Sequence, residues 1–594
     1  MFSWRFVRIL YRMVIKMKLR APAYPLVTID PYCSLWSMTD KLNEDDVRLW
    51  TGRREYLTGC AVIDGTEYAF MGNPANVKKM KQKSVAMTSF TTKYVFEAAG
   101  IRLNVNFTTP ALPDDLEVSA KPVSYCEITA AASDGNMQHQ IAVSLTVSEE
   151  LCREDGPTVS GQVKLDGNLS AMKIGTVEQS VLGRSGDTNA INWGYVYLAV
   201  FSGQVEPCQE ADLNCVKASK EIALEQNERA LFVIAYDDLY SIVYFGEKLK
   251  AYWKKDGTEI EQIIENAFSE YDSVFEKCAA FDRKLRTEAE HVGGEQYADL
   301  LILSVRQVMA AHKAVLDTNG NLLYVSKECS SNGCAATVDV SYPSIPMFLI
   351  YNPELVKGMM RPILRYANSD AWPYEFAPHD AGRYPILNGQ FYSGGTDPRW
   401  QMPIEECGNM LLMMAAVVFA QGDISFAKEN MELLEQWASY LLRYGLDPEN
   451  QLCTDDFAGH LAHNCNLSLK AIMALAAYSE LCAKLGEKDK ASEYRSAAEN
   501  MAKSWLEMAA NGDGSYRLTF DKPDTFSLKY NMVWDKVMGL GLFSESTINS
   551  EVESYFRHMR PYGIPLDCRA DYTKSDWQIW TATLAKSKAL FEKM

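Results

Sequence analysis

The chain lacks the short motifs that mark several large enzyme classes. It has no Gly-x-Ser-x-Gly sequence and no Walker sequence, which argues against α/β-hydrolases and P-loop NTPases. Although it contains 14 cysteines, none forms a Cys-x-x-Cys pair, so a zinc site of that type is not expected. The scattered cysteines instead indicate buried, reduced thiols. No apolar stretch reaches about 18 residues without a charge, so the sequence predicts no membrane span.

Positive charge is also scarce. Lysine and arginine number 59 against 77 acidic residues, and the net charge of −18 argues against nucleic acid or an anionic membrane as a partner. The predicted partner is a small-molecule substrate. The basic N-terminal extension, residues 1–20, has apolar runs too short for a secretory signal, so a cytoplasmic location is expected, with Met17 as an alternative start.

The length of 594 residues predicts at least two domains. Between Gly59 and Phe245, short alternating segments predict an antiparallel β-sandwich, and Asp64-Gly65 marks its first hairpin. Near Ile260 the apolar period becomes that of a helix. The predicted domains are the extension (1–20), a loop-rich segment with the β-sandwich (21–259), a linker helix (260–292) and a helical domain (293–594).

The second half of the chain reads as consecutive helices separated by glycine and asparagine breaks. There are too many helices for a four-helix bundle, and no sequence repeat indicates a solenoid, so a ring of helical hairpins is expected. In such a ring alternate links open on one face, where side chains from distant links meet. The predicted helices are 353–368, 403–420, 425–444, 467–485, 488–510, 530–542, 545–558 and 575–593.

Acidic residues concentrate in two of these links. Glu405-Glu406 stand at the start of one apolar helix, and Asp455-Asp456 follow the next. Paired carboxyl groups are what glycosidic hydrolysis needs, one as acid and the other as base or nucleophile. We therefore assign all four as candidate catalytic residues, with one acid of the first pair facing one of the second. The first pair equally suits a helix N-terminus, and the second suits a turn.

Further polar and aromatic side chains of the links are predicted to bind substrate. His460 and His463 are three residues apart, so a helical turn would place them on one face as structural, substrate-binding or metal-ligating groups. Cys407 is not expected to act as a nucleophile, because neighbouring acids raise the pKa of a thiol. No metal and no other cofactor is predicted. The predicted substrate-binding residues are Asn332, Asp339, Trp372, His379, Asp380, His460, His463, Asp535, Asp576 and Trp577.

Long, ordered motifs give the chain a resemblance to a known family. MPIEECGNMLLM, CTDDFAGHLAHNCNLSLKAI, KYNMVWDKVMGLGLF and YGIPLDCRADYTKSDWQIWTATLA closely resemble the fungal and bacterial glutaminase A family, and the similarity runs from about Pro25 to Phe591. The resemblance implies a β domain followed by an (α/α)6 six-hairpin toroid, and hydrolysis of L-glutamine to glutamate and ammonia. It also allows export. Family chains continue beyond the TATLA helix, so the toroid is expected to lack its last helices.

The residue types leave the substrate open. Amide hydrolysis commonly uses a Ser, Thr or Cys nucleophile with an oxyanion hole, whereas these links offer carboxylates and aromatic rings that suit sugars. The leading hypothesis is a glutaminase A-like hydrolase with a carboxylate-lined cleft on one face of the toroid. The alternative is a glycoside hydrolase acting on an oligosaccharide, and the third hypothesis is a non-catalytic carbohydrate-binding protein.

Overall fold

The computed structural model describes residues 19–594, so the predicted basic extension lies almost wholly outside the described residues. The chain divides into two compact units. The β unit extends to Ile242 and includes Lys248–Leu316, and the helical unit comprises Val243–Glu247 and Asp317–Met594. Most of the helical unit lies within the predicted helical domain, residues 293–594.

Two large sheets form most of the β unit, and their strands are antiparallel apart from the edge strand Lys78–Lys79. The eight-stranded sheet has the spatial order Thr158–Val163, Leu169–Thr176, Tyr195–Phe201, Arg229–Asp237, Val123–Ala132, Ile101–Thr108, Thr91–Ala98 and Lys81–Met87. The six-stranded sheet has the order Gln204–Glu210, Leu213–Glu221, Ile141–Ser148, Leu57–Ile63, Thr66–Met71 and Lys78–Lys79.

Alternation along the strands explains this packing. In Ile101–Thr108 the apolar residues at every second position are buried, and the residues between them are more exposed. Rings from the two sheets meet where Phe70 and Phe96 lie 6.1 Å apart. The predicted hairpin turn is present, because Asp64 and Gly65 both adopt positive φ, as a two-residue hairpin loop requires.

The remaining elements of the β unit include strands in the segment predicted to be loop-rich. Tyr24–Asp30, Cys33–Ser37 and Arg48–Leu49 form a three-stranded sheet. A short helix, α1, covers Leu116–Ser119, and a long helix, α2, covers Ile260–Ala310 with an interruption at Gly294. The predicted linker helix is the first part of α2. A short strand also occurs at His312–Leu316, and the strands Ile242–Tyr244 and Glu247–Leu249 lie where the chain passes between the two units.

The helical unit contains eleven described α-helices, in keeping with the predicted succession of helices and links. Two of its helices, α5 and α8, are buried along most of their length. The helices are α3 (Val338–Tyr351), α4 (Pro353–Ala367), α5 (Pro403–Gln421), α6 (Ser425–Glu429), α7 (Met431–Tyr444), α8 (Cys465–Leu485), α9 (Lys488–Ala509), α10 (Val533–Met538), α11 (Glu545–Tyr555), α12 (Ser575–Ala582) and α13 (Lys588–Lys593). Its short strands are Leu322–Ser326, Cys334–Ala335, Gly382–Arg383 and Ile386–Leu387.

Helix α3 is absent from the sequence-based set because Pro343 and Pro346 lie inside it. Proline removes a backbone donor and disfavours a helix interior, so this segment read as a link. Helix α5 is the one described helix that is long and apolar enough to cross a membrane by composition, and most of it is buried inside the protein.

Candidate active site

Predicted site residues from several links converge on His379. The backbone N–H of Val338 donates to the carbonyl of His379 at 2.8 Å, and the short strands pair Ala335 with Gly382. These contacts hold the start of α3 beside the His379 loop. As a result Asp339, in the first turn of α3, lies with Oδ1 3.5 Å from Nε2 of His379.

Asp380 fixes the orientation of the His379 ring. It is fully buried and accepts backbone N–H groups from Gly382, Phe391 and Tyr392 at 2.8–3.0 Å. Nδ1 of His379 lies 2.9 Å from Asp380 Oδ2, and the ring stacks on Tyr392 with centroids 4.1 Å apart. Because Asp380 occupies Nδ1, the free edge of the imidazole faces Asp339.

Glu405 and Glu406 lie in the first turn of α5, and both side chains are buried. Nζ of the fully buried Lys470 forms an ion pair with Glu405 and donates to Asn409 Oδ1 at 2.7 Å. Nδ2 of Asn409 donates to both glutamates at 3.1 Å. Glu405 is therefore neutralised by Lys470. No lysine or arginine among residues 19–594 forms an ion pair with Glu406, which lies beside His379 instead.

The pKa values around His379 are strongly perturbed. Complete burial and the charge of Asp339 raise the pKa of Glu406 well above its usual range. Burial raises the pKa of Asp339 to about 7, although His379 opposes the shift. Burial lowers the pKa of His379, but Asp339 and Asp380 outweigh burial and raise it to about 10. Three neighbouring ionisable groups with pKa values shifted this far are characteristic of a reactive site.

Asp455 lies in a separate aromatic setting. Tyr530 Oη donates to its Oδ2 at 3.0 Å and Trp577 Nε1 donates to its Oδ1 at 3.2 Å, while the two rings stack with centroids 4.0 Å apart. Burial raises the pKa of Asp455 to about 6, and Lys574 opposes the shift. The preceding residue, Thr454, donates its hydroxyl to the carbonyl of Asp339 at 3.3 Å, which brings this segment to the cluster. Asp455 is thus a buried acid that titrates just below neutrality.

Asp456 differs from Asp455 because its side chain is exposed. It accepts a hydrogen bond from Tyr392 Oη at 3.2 Å, and Tyr392 is the residue that stacks on His379. Asp456 therefore lies at the rim of the cluster.

His460 and His463 do not share a helical turn. His463 has φ of 59°, and its partly exposed ring places Nδ1 2.8 Å from Asp447. His460 packs against Trp400 with centroids 5.4 Å apart, and its Nε2 lies 3.2 Å from the carbonyl oxygen of Arg399. The left-handed residue turns the chain, so the three-residue spacing does not place the two rings on one face.

Four other predicted substrate-binding residues make local structural contacts. Asn332 accepts the backbone N–H two residues later at 2.9 Å, and Trp372 donates to the backbone carbonyl four residues later at 2.6 Å. Asp535 accepts two N–H groups from the loop after α10 at 2.9 and 3.0 Å, and Asp576 accepts the N–H of the next residue at 2.8 Å. Turn, capping and core roles explain these residue types without a ligand.

Sequence reasoning missed Asn409, Lys470, Tyr392 and Tyr530, which hold the acids in place. A signal for Lys470 is present, because it is a single lysine within the apolar stretch LSLKAIMALAA. A fully buried lysine requires an acidic partner, so its position on α8 points to a buried carboxylate on a neighbouring helix.

Two groups of side chains have the spacing of metal ligands. Ligand atoms of Asp339, His379 and Glu406 lie within 4.8 Å of one another, as do those of Cys334, His379 and Asp380. In the second group the oxygens of Asp380 already accept backbone N–H groups. The first group is therefore the better candidate for a cation.

Comparison with known families gives a clear match to the helical unit. The profile described as the glutaminase A six helical-hairpin domain matches residues 294–594, just over half of the chain. The chain belongs to the glutaminase A family. Two profiles for domains of unknown function match residues 6–85 and, in two overlapping parts, residues 91–220 and 213–288 of this glutaminase A family member.

Similar proteins agree with this membership. Glutaminase A of Aspergillus oryzae is 27% identical over 95% of this chain and 88% of its own length. A relative in Arthroderma benhamiae, whose name also specifies a glutaminase, is 26% identical over 57% of this chain and 48% of its own length.

Among solved structures, a protein assigned as a kojibiose phosphorylase from the human microbiome covers 96% of this chain and 81% of its own, with a TM-score of 0.50 and 12% identity. That likeness concerns the fold alone. The predicted family, the β-sandwich followed by helical hairpins, and the hydrolase class are confirmed.

Proposed function

We propose that this glutaminase A family member hydrolyses the side-chain amide of L-glutamine at the cluster of Asp339, His379 and Glu406. The observation that carries the proposal is Glu406. It is fully buried, and its Oε1 has no hydrogen-bond partner in the described part of the chain. An unpaired carboxyl oxygen in the interior costs stability, and a protein retains such a group where a ligand uses it. The relative named glutaminase A aligns over nearly the whole chain, which supports the choice of substrate.

The cluster favours direct attack by water. Cys407, the nearest thiol along the chain, accepts the N–H of Ala377 at 3.3 Å, and burial raises the pKa of this thiol, which keeps it protonated. Burial also raises the pKa of Cys334, the thiol beside His379, so water is the nucleophile. Asp339 and Glu406 hold it with their free oxygens, and positive charge at the Nε2 edge of His379 stabilises the negative charge that develops on the amide oxygen when water attacks the amide carbon.

In this proposal Asp455 carries the proton transfers, because the hydrogen bond from Thr454 to the carbonyl of Asp339 brings its segment to the cluster. Its carboxylate takes a proton from the attacking water and passes it to the leaving nitrogen, which departs as ammonia. The glutamine side chain becomes the carboxylate of glutamate. The hydrogen bonds from Tyr530 and Trp577 hold both oxygens of Asp455, which limits its motion between the two steps.

Ammonia release from L-glutamine tests the proposal. We expect Asp339→Asn, Glu406→Gln and Asp455→Asn each to lower kcat by roughly 10²- to 10⁴-fold. Asp447→Asn is the matched control, because Asp447 is an acid of the helical unit that pairs with His463 outside the cluster. Full turnover by Glu406→Gln, or no ammonia from the unaltered protein, would contradict the assignment.

A glycoside remains the second candidate because of two exposed rings near Asp455. Phe457 and Tyr572 lie 5.0 Å apart and retain 55% and 36% exposure, and Lys574 lies over Phe457. Exposed aromatic faces suit the apolar faces of sugars. A panel of chromogenic glycosides, assayed beside glutamine, separates the two functions, since cleavage of a glycoside without ammonia release selects the second.

A further inference from the structure

The cluster around His379 contains two free carboxyl oxygens. Oδ1 of Asp339 and Oε1 of Glu406 are buried and make no hydrogen bond within residues 19–594. Nε2 of His379 lies 3.5 Å from Asp339 Oδ1, too far for a good hydrogen bond. A buried oxygen without a hydrogen-bond partner destabilises the protein, so both oxygens are available to bind a ligand.

The acidic side chains around these two oxygens already have their own hydrogen-bond or ion-pair partners. Asp380 is held by three backbone N–H groups, and Glu405 is neutralised by Lys470. Oε2 of Glu406 accepts from Asn409 at 3.1 Å. Each neighbouring acid therefore has its own partners, and none of them supplies a donor to the two free oxygens.

His379 has the arrangement of a metal-binding histidine. In such sites one ring nitrogen binds the ion while the other donates its proton to a carboxylate, which fixes the tautomer. Nδ1 of His379 lies 2.9 Å from Asp380, and Nε2 faces the free oxygens. When a metal ion displaces the proton from Nε2, this nitrogen presents a lone pair to the same point as Asp339 and Glu406.

We propose that Asp339, His379 and Glu406 bind one divalent first-row metal ion such as Zn²⁺ or Mn²⁺. The 3.5 Å between Nε2 and Oδ1 matches the separation of two ligands on one ion, which is about 3.4 Å for tetrahedral bonds of about 2.1 Å. The three ligand atoms lie within 4.8 Å of one another, so small side-chain shifts bring them onto a common centre. One imidazole and two carboxylates suit these ions.

The metal ion adds a catalytic component to the proposed function, and the catalytic role of the ion rests on that function. It supplies the positive charge at the Nε2 edge of His379 and leaves coordination positions for water and the amide oxygen. Asp380 acts as a positioning residue, because it touches neither the ion nor the substrate. Its removal is expected to weaken metal binding by roughly 10- to 100-fold.

The test measures metal on the full-length protein. After removal of metal by a chelator and dialysis, the protein is loaded with Zn²⁺, Mn²⁺ or Co²⁺, and bound metal is counted by elemental analysis and titration. We expect one ion per chain, lost in Asp339→Asn, His379→Asn and Glu406→Gln, retained in Asp447→Asn and weakened in Asp380→Asn. The absorption bands of the Co²⁺ form report nitrogen and oxygen ligands without any variant, so a misfolded variant does not block the conclusion.

Three results overturn the site: no ion retained by the unaltered protein, an ion that persists unchanged in all three ligand variants, or a thiolate charge-transfer band that places Cys334 on the metal. These results are independent of turnover. If metal binds as described and no ammonia forms, the proposed function fails and the metal site stands. If ammonia forms at full rate in metal-free protein that binds no ion, the metal site fails and the proposed function stands.

Discussion

Lys470→Met removes the one cation among residues 19–594 that forms an ion pair with Glu405. Lys470 is fully buried on α8, and it also donates to Asn409 and lies 4.4 Å from the ring centre of Tyr342. Its stem packs over Gly408, so a methionine of similar length fills much of the same space. The substitution therefore removes charge with little change in volume.

The expected cost follows from the burial of Glu405, which is 1% exposed. Removing one partner of a buried ion pair leaves an uncompensated charge and costs about 3–5 kcal/mol. For a unit of this size that loss lowers the melting temperature by roughly 6–20 °C. The double variant Lys470→Met with Glu405→Met replaces both charges with apolar groups, and is expected to recover most of the loss.

Thermal unfolding followed by far-UV circular dichroism and calorimetry measures both variants. A single variant as stable as the unaltered protein would show that Glu405 does not depend on Lys470. A double variant that is no more stable than the single one would show that packing, rather than the unpaired charge, causes the loss. Either result would refute the reasoning that separates Glu405 from the reactive acids.

Three further outcomes are expected. Burial lowers the pKa of His312 to about 4, so the unfolded chain binds a proton at a higher pH than the folded chain does. The free energy of unfolding should therefore fall by about 3 kcal/mol as the pH drops from about 6.5 to 4. Denaturant titrations at several pH values should show that His312→Gln loses this dependence. Burial raises the pKa of Asp455 to about 6, and the carboxylate is the form that acts as a base, so kcat should rise as the pH increases through about 6. Asp455→Asn should abolish this rise, and a pH–rate profile checks it. Gly382→Ala should lower both stability and ammonia release, because φ is +152° and the new Cβ would lie 2.1 Å from the carbonyl oxygen of Ile386. Gly486→Ala is the control for ammonia release, since a Cβ at that position would meet open space.

The fold was largely predictable because its signals are local. Alternation in strands such as Ile101–Thr108 and the Asp64-Gly65 turn identify the β-sandwich. Helix α3 was not predictable by the same reasoning, since Pro343 and Pro346 oppose a helix that the tertiary structure nevertheless stabilises. The break between α6 and α7 at Asn430 likewise depends on packing rather than on the apolar period.

The site was predictable in residue type but not in pairing. Residue types in the links indicated Asp339, His379 and Glu406, but their sequence positions gave no distance between them. Lys470 neutralises Glu405, a contact between two helices that no spacing within either helix reveals. His463 shows the opposite failure, because a positive φ cancels the helical spacing that linked it to His460.

The hydrogen bond between Asp455 and Trp577 joins positions 122 residues apart, and the one between Tyr342 and Trp534 joins positions 192 apart. Contacts between such distant positions close large loops, whose entropy cost must be met before the contacts contribute. These contacts around the acids are therefore expected to form late in folding, after the local helices. Activity in this protein would then report complete folding of the helical unit, and refolding followed by turnover would lag behind refolding followed by helix content.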